Sequence, residues 1–243
     1  MTWKAIFALY CQLQITMKKS VIIVAGGSGS RMGSEIPKQF ILLENKPVLI
    51  WTINCFIQYD PTISVVLVLP ESQIVRWSEL CISFKFDHPH RIVMGGETRI
   101  QSVRNGLNAV KECDLIAVHD GVRPLVSPKT IENCFNQAEK TGAAIPVLSL
   151  NETLRTGTLE DSITVDRSLF YTVQTPQVFK TSILQDAYSN ISDSAFTDDA
   201  SVVESSGFSV IMVPGNPENI KITHPWDLII ASAYLKKKEG TLS

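Results

Sequence analysis

Cysteine is scarce in this 243-residue sequence: Cys11, Cys55, Cys81, Cys113 and Cys134 are the only five. An odd count with no C-x-x-C pair argues against a disulfide framework and against structural zinc. A reducing cytoplasm is the expected compartment. Net charge is also nearly absent, at -2. Nothing global therefore attracts nucleic acid or an acidic membrane, and an anionic ligand has to be met by locally concentrated Arg and Lys. Long hydrophobic runs are missing too. The apolar stretch at residues 5–11 follows Lys4 but is too short to span a bilayer. It also lacks the longer core and small cleavage-site residues of a secretory signal. Met17-Lys18-Lys19-Ser20 reads as a natural start, so residues 1–16 are expected to be an upstream extension and residues 17–243 a single domain. Several motifs are absent as well. There is no G-x-x-x-x-G-K-[ST], no Asp-x-Asp and no Ser/His/Asp logic, and Met32 stands where a dinucleotide fingerprint needs its third glycine.

What is present begins at residues 21–24, an apolar run that reads as a buried strand. Ala25-Gly26-Gly27-Ser28-Gly29-Ser30-Arg31-Met32-Gly33 follows it, and then Pro37-Lys38-Gln39. Glycines let a backbone approach a ligand with no Cβ in the way, and successive N–H groups in such a loop form a nest for anionic oxygens. Arg31 and Lys38 add two full positive charges. A strand, a Gly-rich turn and two cations suit the grip of a nucleoside triphosphate better than an ordinary strand-to-helix turn.

Strand-like and helix-like runs then alternate. Residues 62–69, 91–93, 115–118, 143–148 and 209–213 read as strands, mostly near-continuous in apolar residues, which suits burial on both faces of a parallel sheet. Helices are expected at 47–59, at Pro128–Thr141 and at Pro225–Lys238. The second carries Ile131, Cys134, Phe135 and Ala138 at i, i+3, i+4 and i+7 and ends at Gly142. This alternation predicts an α/β fold with a doubly wound, mostly parallel sheet. Residues 151–179 break the rhythm. Thr153-Leu154-Arg155, a turn-like Thr156-Gly157 and Ile163-Thr164-Val165 read as a β-hairpin arm, placed at about 149–170. A lone hairpin cannot bury both faces, so a second subunit is the expected partner.

Ligands of open α/β sheets bind beyond the carboxyl ends of the strands. Three further motifs lie there or beside a helix start. Gly95-Gly96-Glu97-Thr98-Arg99-Ile100-Gln101-Ser102 could approach a flat base, or could be a capped loop. In His119-Asp120-Gly121-Val122-Arg123-Pro124, Asp120 could orient a substrate hydroxyl or Mg²⁺ and Arg123 could bind phosphate; an internal Asp120–Arg123 ion pair is the alternative. His119 reads as structural. Lys221, in Asn219-Ile220-Lys221-Ile222-Thr223, points away from the core by alternation, toward either ligand or solvent.

Taken in order, A-G-G-S-G-S-R-M-G, P-K-Q, G-G-E-T-R-I-Q-S-V, H-D-G-V-R-P, V-D-R, Q-T-P-Q, T-D-D-A-S and N-I-K-I-T resemble the 2-C-methyl-D-erythritol 4-phosphate cytidylyltransferases of non-mevalonate isoprenoid biosynthesis. The likeness runs from about Ser20 to Lys238. It implies a Rossmann-like sheet of the nucleotidyltransferase type. It implies that Arg31, Lys38 and Lys221 stabilise charge at the α-phosphate of CTP, with Mg²⁺ or another divalent cation. Ala25, Gly26, Gly27, Gly96, Glu97 and Ser102 would surround cytidine. Asp120, Arg123, Thr175 and Thr197 would contact the polyol phosphate, and Asp120 would be the metal ligand. Thr153 and Arg167 lie on the arm, which in this family crosses to the partner's site, so a homodimer is implied. Val122 departs from the smaller residues usual after His-Asp.

The chemistry so implied is in-line attack by the polyol phosphate on the α-phosphorus of CTP, with pyrophosphate leaving, and catalysis by positioning and electrostatics. A ribitol 5-phosphate cytidylyltransferase is the nearest rival, and Val165-Asp166-Arg167 before Gln174-Thr175-Pro176 favours the methylerythritol branch. A sugar-1-phosphate nucleotidyltransferase is more distant. A non-catalytic nucleotide-binding subunit is disfavoured by the three cations together.

Overall fold

A computed structural model describes residues 17–26, 36–191, 196–238 and 240. The elements are, in order, β1 (Lys19–Val24), β2 (Leu42–Leu43), β3 (Lys46–Pro47), α1 (Val48–Tyr59), β4 (Ser64–Leu69), α2 (Glu71–Ser83), β5 (Arg91–Met94), α3 (Arg99–Ala109), β6 (Leu115–Asp120), α4 (Pro128–Thr141) and β7 (Ala143–Ser149). There follow β8 (Leu154–Gly157), β9 (Ser162–Val165), β10 (Tyr171–Val173), β11 (Gln177–Lys180), α5 (Thr181–Ser189), α6 (Asp199–Ser205), β12 (Ile211–Pro214) and α7 (Pro225–Lys238). The predicted α4 and α7 agree with the observed bounds.

The sheet is mostly parallel. β1 lies between β4 and β6, and β5 pairs with β4, all parallel. Alternate residues of the central strands enter two different cores. Val21, Ile23, Val65, Leu67, Leu115 and Ala117 face one helix layer, which α1, α2 and α4 build. Ile22, Val66, Val68, Ile116 and Val118 face the other, built by α3, α5 and α6. Both faces need apolar side chains, which is why these strands read as unbroken hydrophobic runs. Gly142 closes α4 at φ +99°, a conformation costly to any residue with a Cβ.

Three features differ from the sequence reading. β11 lies antiparallel between β6 and β7, and β10 is antiparallel to β7. The short, polar-flanked Gln177–Lys180 carries little periodicity of its own; tertiary burial of Val178 and Phe179 makes it a strand. Only 154–157 and 162–165 form the separate two-stranded hairpin. Helices α2, α5 and α6 were also not anticipated. The amphipathic stripe of α2 buries a single residue completely, Trp77, so its periodicity is weak.

Candidate active site

The sheet places its chemistry where β1 and β6 end side by side. Val24 pairs with Asp120, and the Gly121 N–H then donates to the Val24 carbonyl at 2.8 Å. A side chain at Gly121 would bring its Cβ to 2.7 Å from that of Ala25. Glycine is required there, so that the two strand ends can run together into one floor. The Gly95 N–H donates to the Leu69 carbonyl at 2.8 Å, which brings the loop before α3 to the same edge. Thr98 caps α3 by accepting from the Gln101 N–H at 3.1 Å. The Gly96 N–H donates to Ser102 Oγ at 3.1 Å, and the Glu97 N–H to Gln101 Oε1 at 2.9 Å. The loop is therefore shaped from within by the first turn of its own helix.

Above this floor is a cavity of about 310 Å³. Ala25, Gly26, Lys38, Gly96, Glu97, Ser102, Asp120 and Lys221 line it, eight of the residues that the sequence singled out. Lys38 arrives on a 3-10 turn (Lys38–Phe40) whose next residue, Gln39, is fully buried. Gln39 Nε2 donates to the Ala25 carbonyl at 2.8 Å, so the turn bearing Lys38 is tied to the end of β1. Lys221 points into this cavity. Its Nζ lies 3.2 Å from Asp120 Oδ2.

Asp120 also pairs with Arg123, whose Nε donates to the same Oδ2 at 3.0 Å. The internal ion pair foreseen as an alternative thus exists, within a larger charge cluster. Burial would raise the Asp120 carboxyl, but Lys221, Arg123 and Arg99 outweigh it and hold the group far below the usual carboxylate range. Asp120 is therefore an anion throughout physiological pH. Burial drives the neighbouring His119 the other way, down to about 4, so its imidazole is neutral.

Other predicted residues stand apart from the cavity wall. Arg123 is turned to Asp120 and to the Asn219 carbonyl at 2.8 Å. Thr175 is buried behind Asp120, and its Oγ1 accepts from the Asp120 N–H at 3.1 Å. Thr197, Thr153 and Arg167 are exposed; Arg167 donates to the Asn151 carbonyl on its own arm. Arg31 and Gly27 lie outside the described residues. Sequence reasoning missed several lining residues that sat inside its own motifs, Gln39 and Arg99 among them. The Arg99 guanidinium forms a two-pronged pair with Asp199, which is completely buried and also accepts from the Tyr188 hydroxyl at 2.6 Å. The second carboxylate of T-D-D-A was the available signal.

A larger cavity of about 460 Å³ lies between α1, the 124–128 segment and α7, lined by Trp51, Leu125 and Leu235 among others. None of the predicted site residues lines it.

The profile of the 2-C-methyl-D-erythritol 4-phosphate cytidylyltransferase family matches residues 19–237. The chain belongs to that family. Proteins of this name from Phocaeicola vulgatus and Bacteroides thetaiotaomicron are each 50% identical to it over 219 residues, 90% of this chain and 100% of theirs. Among solved structures, 4-diphosphocytidyl-2C-methyl-D-erythritol synthase from Anaerococcus prevotii superposes with a TM-score of 0.78 at 29% identity, covering 90% of this chain and 99% of that one. The 2-C-methyl-D-erythritol 4-phosphate cytidylyltransferase from Thermus thermophilus gives 0.73 at 32% identity, with 90% and 100% covered. The chain is accordingly a nucleotidyltransferase that transfers cytidylyl groups, and its mostly parallel sheet is the one its relatives share.

Proposed function

We propose that the cavity at the ends of β1 and β6 is where this chain transfers a cytidylyl group from CTP to 2-C-methyl-D-erythritol 4-phosphate, releasing pyrophosphate and 4-diphosphocytidyl-2-C-methyl-D-erythritol. One observation carries the reading. Lys38 and Lys221 face the same 310 Å³ space as Gly26, Gly96 and Ser102, with Asp120 at its floor. Cytidine sits against Ala25, Gly26, Gly96, Glu97 and Ser102, and Gly27 is assigned to the same ligand. A base pressed on that glycine-lined wall meets backbone N–H and C=O groups directly. The polyol phosphate approaches from the side of Asp120, Arg123, Thr175 and Thr197.

The acceptor phosphate is already an anionic nucleophile, so no covalent enzyme intermediate is needed. One phosphate oxygen attacks the α-phosphorus in line and the bond to pyrophosphate breaks opposite it. Two polyanions repel, and the role of Lys38 and Lys221, both on the cavity wall, is to offset that repulsion with preorganised charge; the same role is assigned to Arg31. Among the described residues no three His, Cys, Asp or Glu side chains converge as a metal cage. The donor set fits Mg²⁺ in its usual manner, through one carboxylate and the substrate's own phosphates. Both described ion pairs of Asp120 fall on Oδ2, which leaves Oδ1 as the oxygen that would hold the ion. Bound there, the metal would neutralise triphosphate charge.

The β8–β9 hairpin supports a homodimer with shared sites. Leu159 at its tip is fully exposed, and Ile163, Leu169, Phe170 and Tyr171 are exposed beside it. Apolar side chains grouped in this way call for a covering surface, and a partner subunit supplies one while bringing Thr153 and Arg167 to its site. No described helix is long and apolar enough to cross a membrane, and the cysteine usage fits a cytoplasmic enzyme. Release of pyrophosphate from CTP and Mg²⁺ with methylerythritol phosphate, against ribitol 5-phosphate, tests the assignment. Faster turnover with ribitol 5-phosphate would overturn it.

A further inference from the structure

Gln39 is completely buried, yet it stands beside Lys38 in the wall of the cavity. Its amide nitrogen reaches two acceptors, the Ala25 carbonyl at 2.8 Å and Gln73 Oε1. The first lies where β1 ends, the second in the first turn of α2. Both anchors are themselves held. The Ala25 N–H donates to the Val68 carbonyl of β4 at 2.9 Å, and the Gln73 N–H to the Pro70 carbonyl at 2.9 Å. Four residues along α2, the buried Trp77 stacks on Phe40, with ring centroids 6.2 Å apart and planes 13° from parallel. Residues four apart share a helix face. Gln73 and Trp77 thus form one rail, and the two residues that follow Lys38 are each seated on it.

Counting donors fixes the amide. A carbonyl only accepts, so the NH2 group faces Ala25. Its two hydrogens are then both in use, toward Ala25 and Gln73. Gln39 Oε1 is left buried with no partner among the described residues. An unmet buried acceptor lowers stability, so a side chain that only filled this space would be apolar. What the amide secures instead is position. The Phe40 N–H donates to the Pro37 carbonyl at 2.8 Å and closes the turn around Lys38 and Gln39, so a shift of one carries the other with it.

We propose that Gln39 is the positioning residue for Lys38: its amide ties the turn to the end of β1 and to α2, and so holds the Lys38 ammonium where the reacting phosphate arrives. This rests on the reading that Lys38 acts on the α-phosphate of CTP. Charge stabilises a transition state fully only if it is in place beforehand, and a misplacement of about 1 Å can lower a rate on the order of 10²-fold. Neither hydrogen bond of the tie goes to Asp120, Arg123 or Thr175, so its effect falls on turnover and not on binding of the acceptor.

The test uses the full chain. Gln39→Met keeps the length and removes the amide. It should lower kcat about 10-fold at saturating substrates, with KM for methylerythritol phosphate changed by less than about 2-fold. In a Lys38→Ala background the same change should lower kcat by less than about 2-fold, because the residue it positions is gone. Gln73→Met should lower kcat about 3-fold, whereas Gln73→Glu still accepts from Gln39 and should act as wild type. Undiminished turnover in Gln39→Met, a second full loss on top of Lys38→Ala, or equal losses in the two Gln73 variants sinks the idea. If Gln39→Met does not fold, the Gln73 pair decides, alone and with Lys38→Ala. Hydrogen exchange at the Phe40 and Ile41 amides should be faster in Gln39→Met or Gln73→Met and unchanged in Gln73→Glu; exchange as slow as wild type in all of them also overturns the tie. Wild-type protein that turns over no methylerythritol phosphate would instead refute the functional reading, and the exchange result would stand apart from it.

Discussion

Lys221 Nζ and Arg123 Nε share a single oxygen of Asp120, at 3.2 and 3.0 Å. The two cations are not equally committed. Arg123 also donates to the Asn219 carbonyl, and its side chain is only 12% exposed. Lys221 has 42% of its side chain exposed. An incoming phosphate can therefore draw Lys221 off Asp120 while Arg123 stays behind to hold the carboxylate. Lys221→Met, which keeps the length and removes the charge, should lower kcat on the order of 10²-fold, the scale of losing one preorganised charge donor. Steady-state kinetics at saturating CTP and polyol phosphate check this. Unchanged turnover would mean that Lys221 serves the resting ion pair alone.

Arg99 and Asp199 join the two loops to which the proposed function assigns cytidine and the polyol phosphate. Arg99 opens α3 next to Glu97, and Asp199 opens α6 two residues after Thr197. Gln177 braces the second loop, accepting from the Asp199 and Ala200 N–H groups at 3.0 and 2.9 Å. Asp199→Ala leaves a largely buried guanidinium and the Tyr188 hydroxyl without their acceptor. The expected cost is about 3 kcal/mol, typical of breaking rather than replacing a buried pair. A urea denaturation midpoint measures it. Combining Asp199→Ala with Arg99→Met should cost less than the sum of the two single changes, because the uncompensated charge is gone.

The last helix depends on one carboxylate. Asp227, in the first turn of α7, accepts from the Thr223 and His224 N–H groups, both at 2.7 Å, and from the Thr223 hydroxyl at 3.0 Å. Partial burial would raise its pKa, but these donors outweigh burial and lower it. A carboxyl whose folded value is depressed contributes fully above its unfolded value, near 4, and loses that contribution as pH falls through the lower folded value. Asp227→Ala should therefore cost about 1 kcal/mol at pH 7. The gap from wild type should narrow below about pH 4. Denaturant titrations at pH 7 and pH 3 check the sign; a gap that widens in acid contradicts it.

Much of this architecture could be read from residues alone. The central strands declared themselves because burial on both faces demands unbroken apolar runs, and α4 because Ile131, Cys134, Phe135 and Ala138 fall on one stripe and are all buried. Gln177–Lys180 could not be read, since its place between β6 and β7 is set by neighbours distant in sequence. The site followed the same division. Lys38, Asp120 and Lys221 stood out because charge beside a strand end needs a reason. Arg99 and Gln39 were passed over because their partners, Asp199 and the Ala25 carbonyl, become visible only once the chain is folded.

The proposed sharing of sites between subunits makes a quantitative prediction. Lys38 lines the cavity of its own chain, whereas Arg167 is exposed on the arm and is assigned to the partner's cavity. Lys38→Ala should lower kcat by roughly 10²–10³-fold, and Arg167→Ala should impair polyol phosphate binding. Each homodimer is then deficient at both sites. In a mixed dimer the two defects fall together on one site: the Lys38→Ala cavity receives the arm bearing Arg167→Ala, and the other cavity is wholly intact. Random exchange makes half of the dimers mixed, with one working site in two, so activity should recover to about a quarter of wild type. Mixing the two purified variants under conditions that exchange subunits, then assaying pyrophosphate release, reads this directly. If Arg167 instead served its own chain's cavity, mixed dimers would carry one defect per site and no recovery would follow.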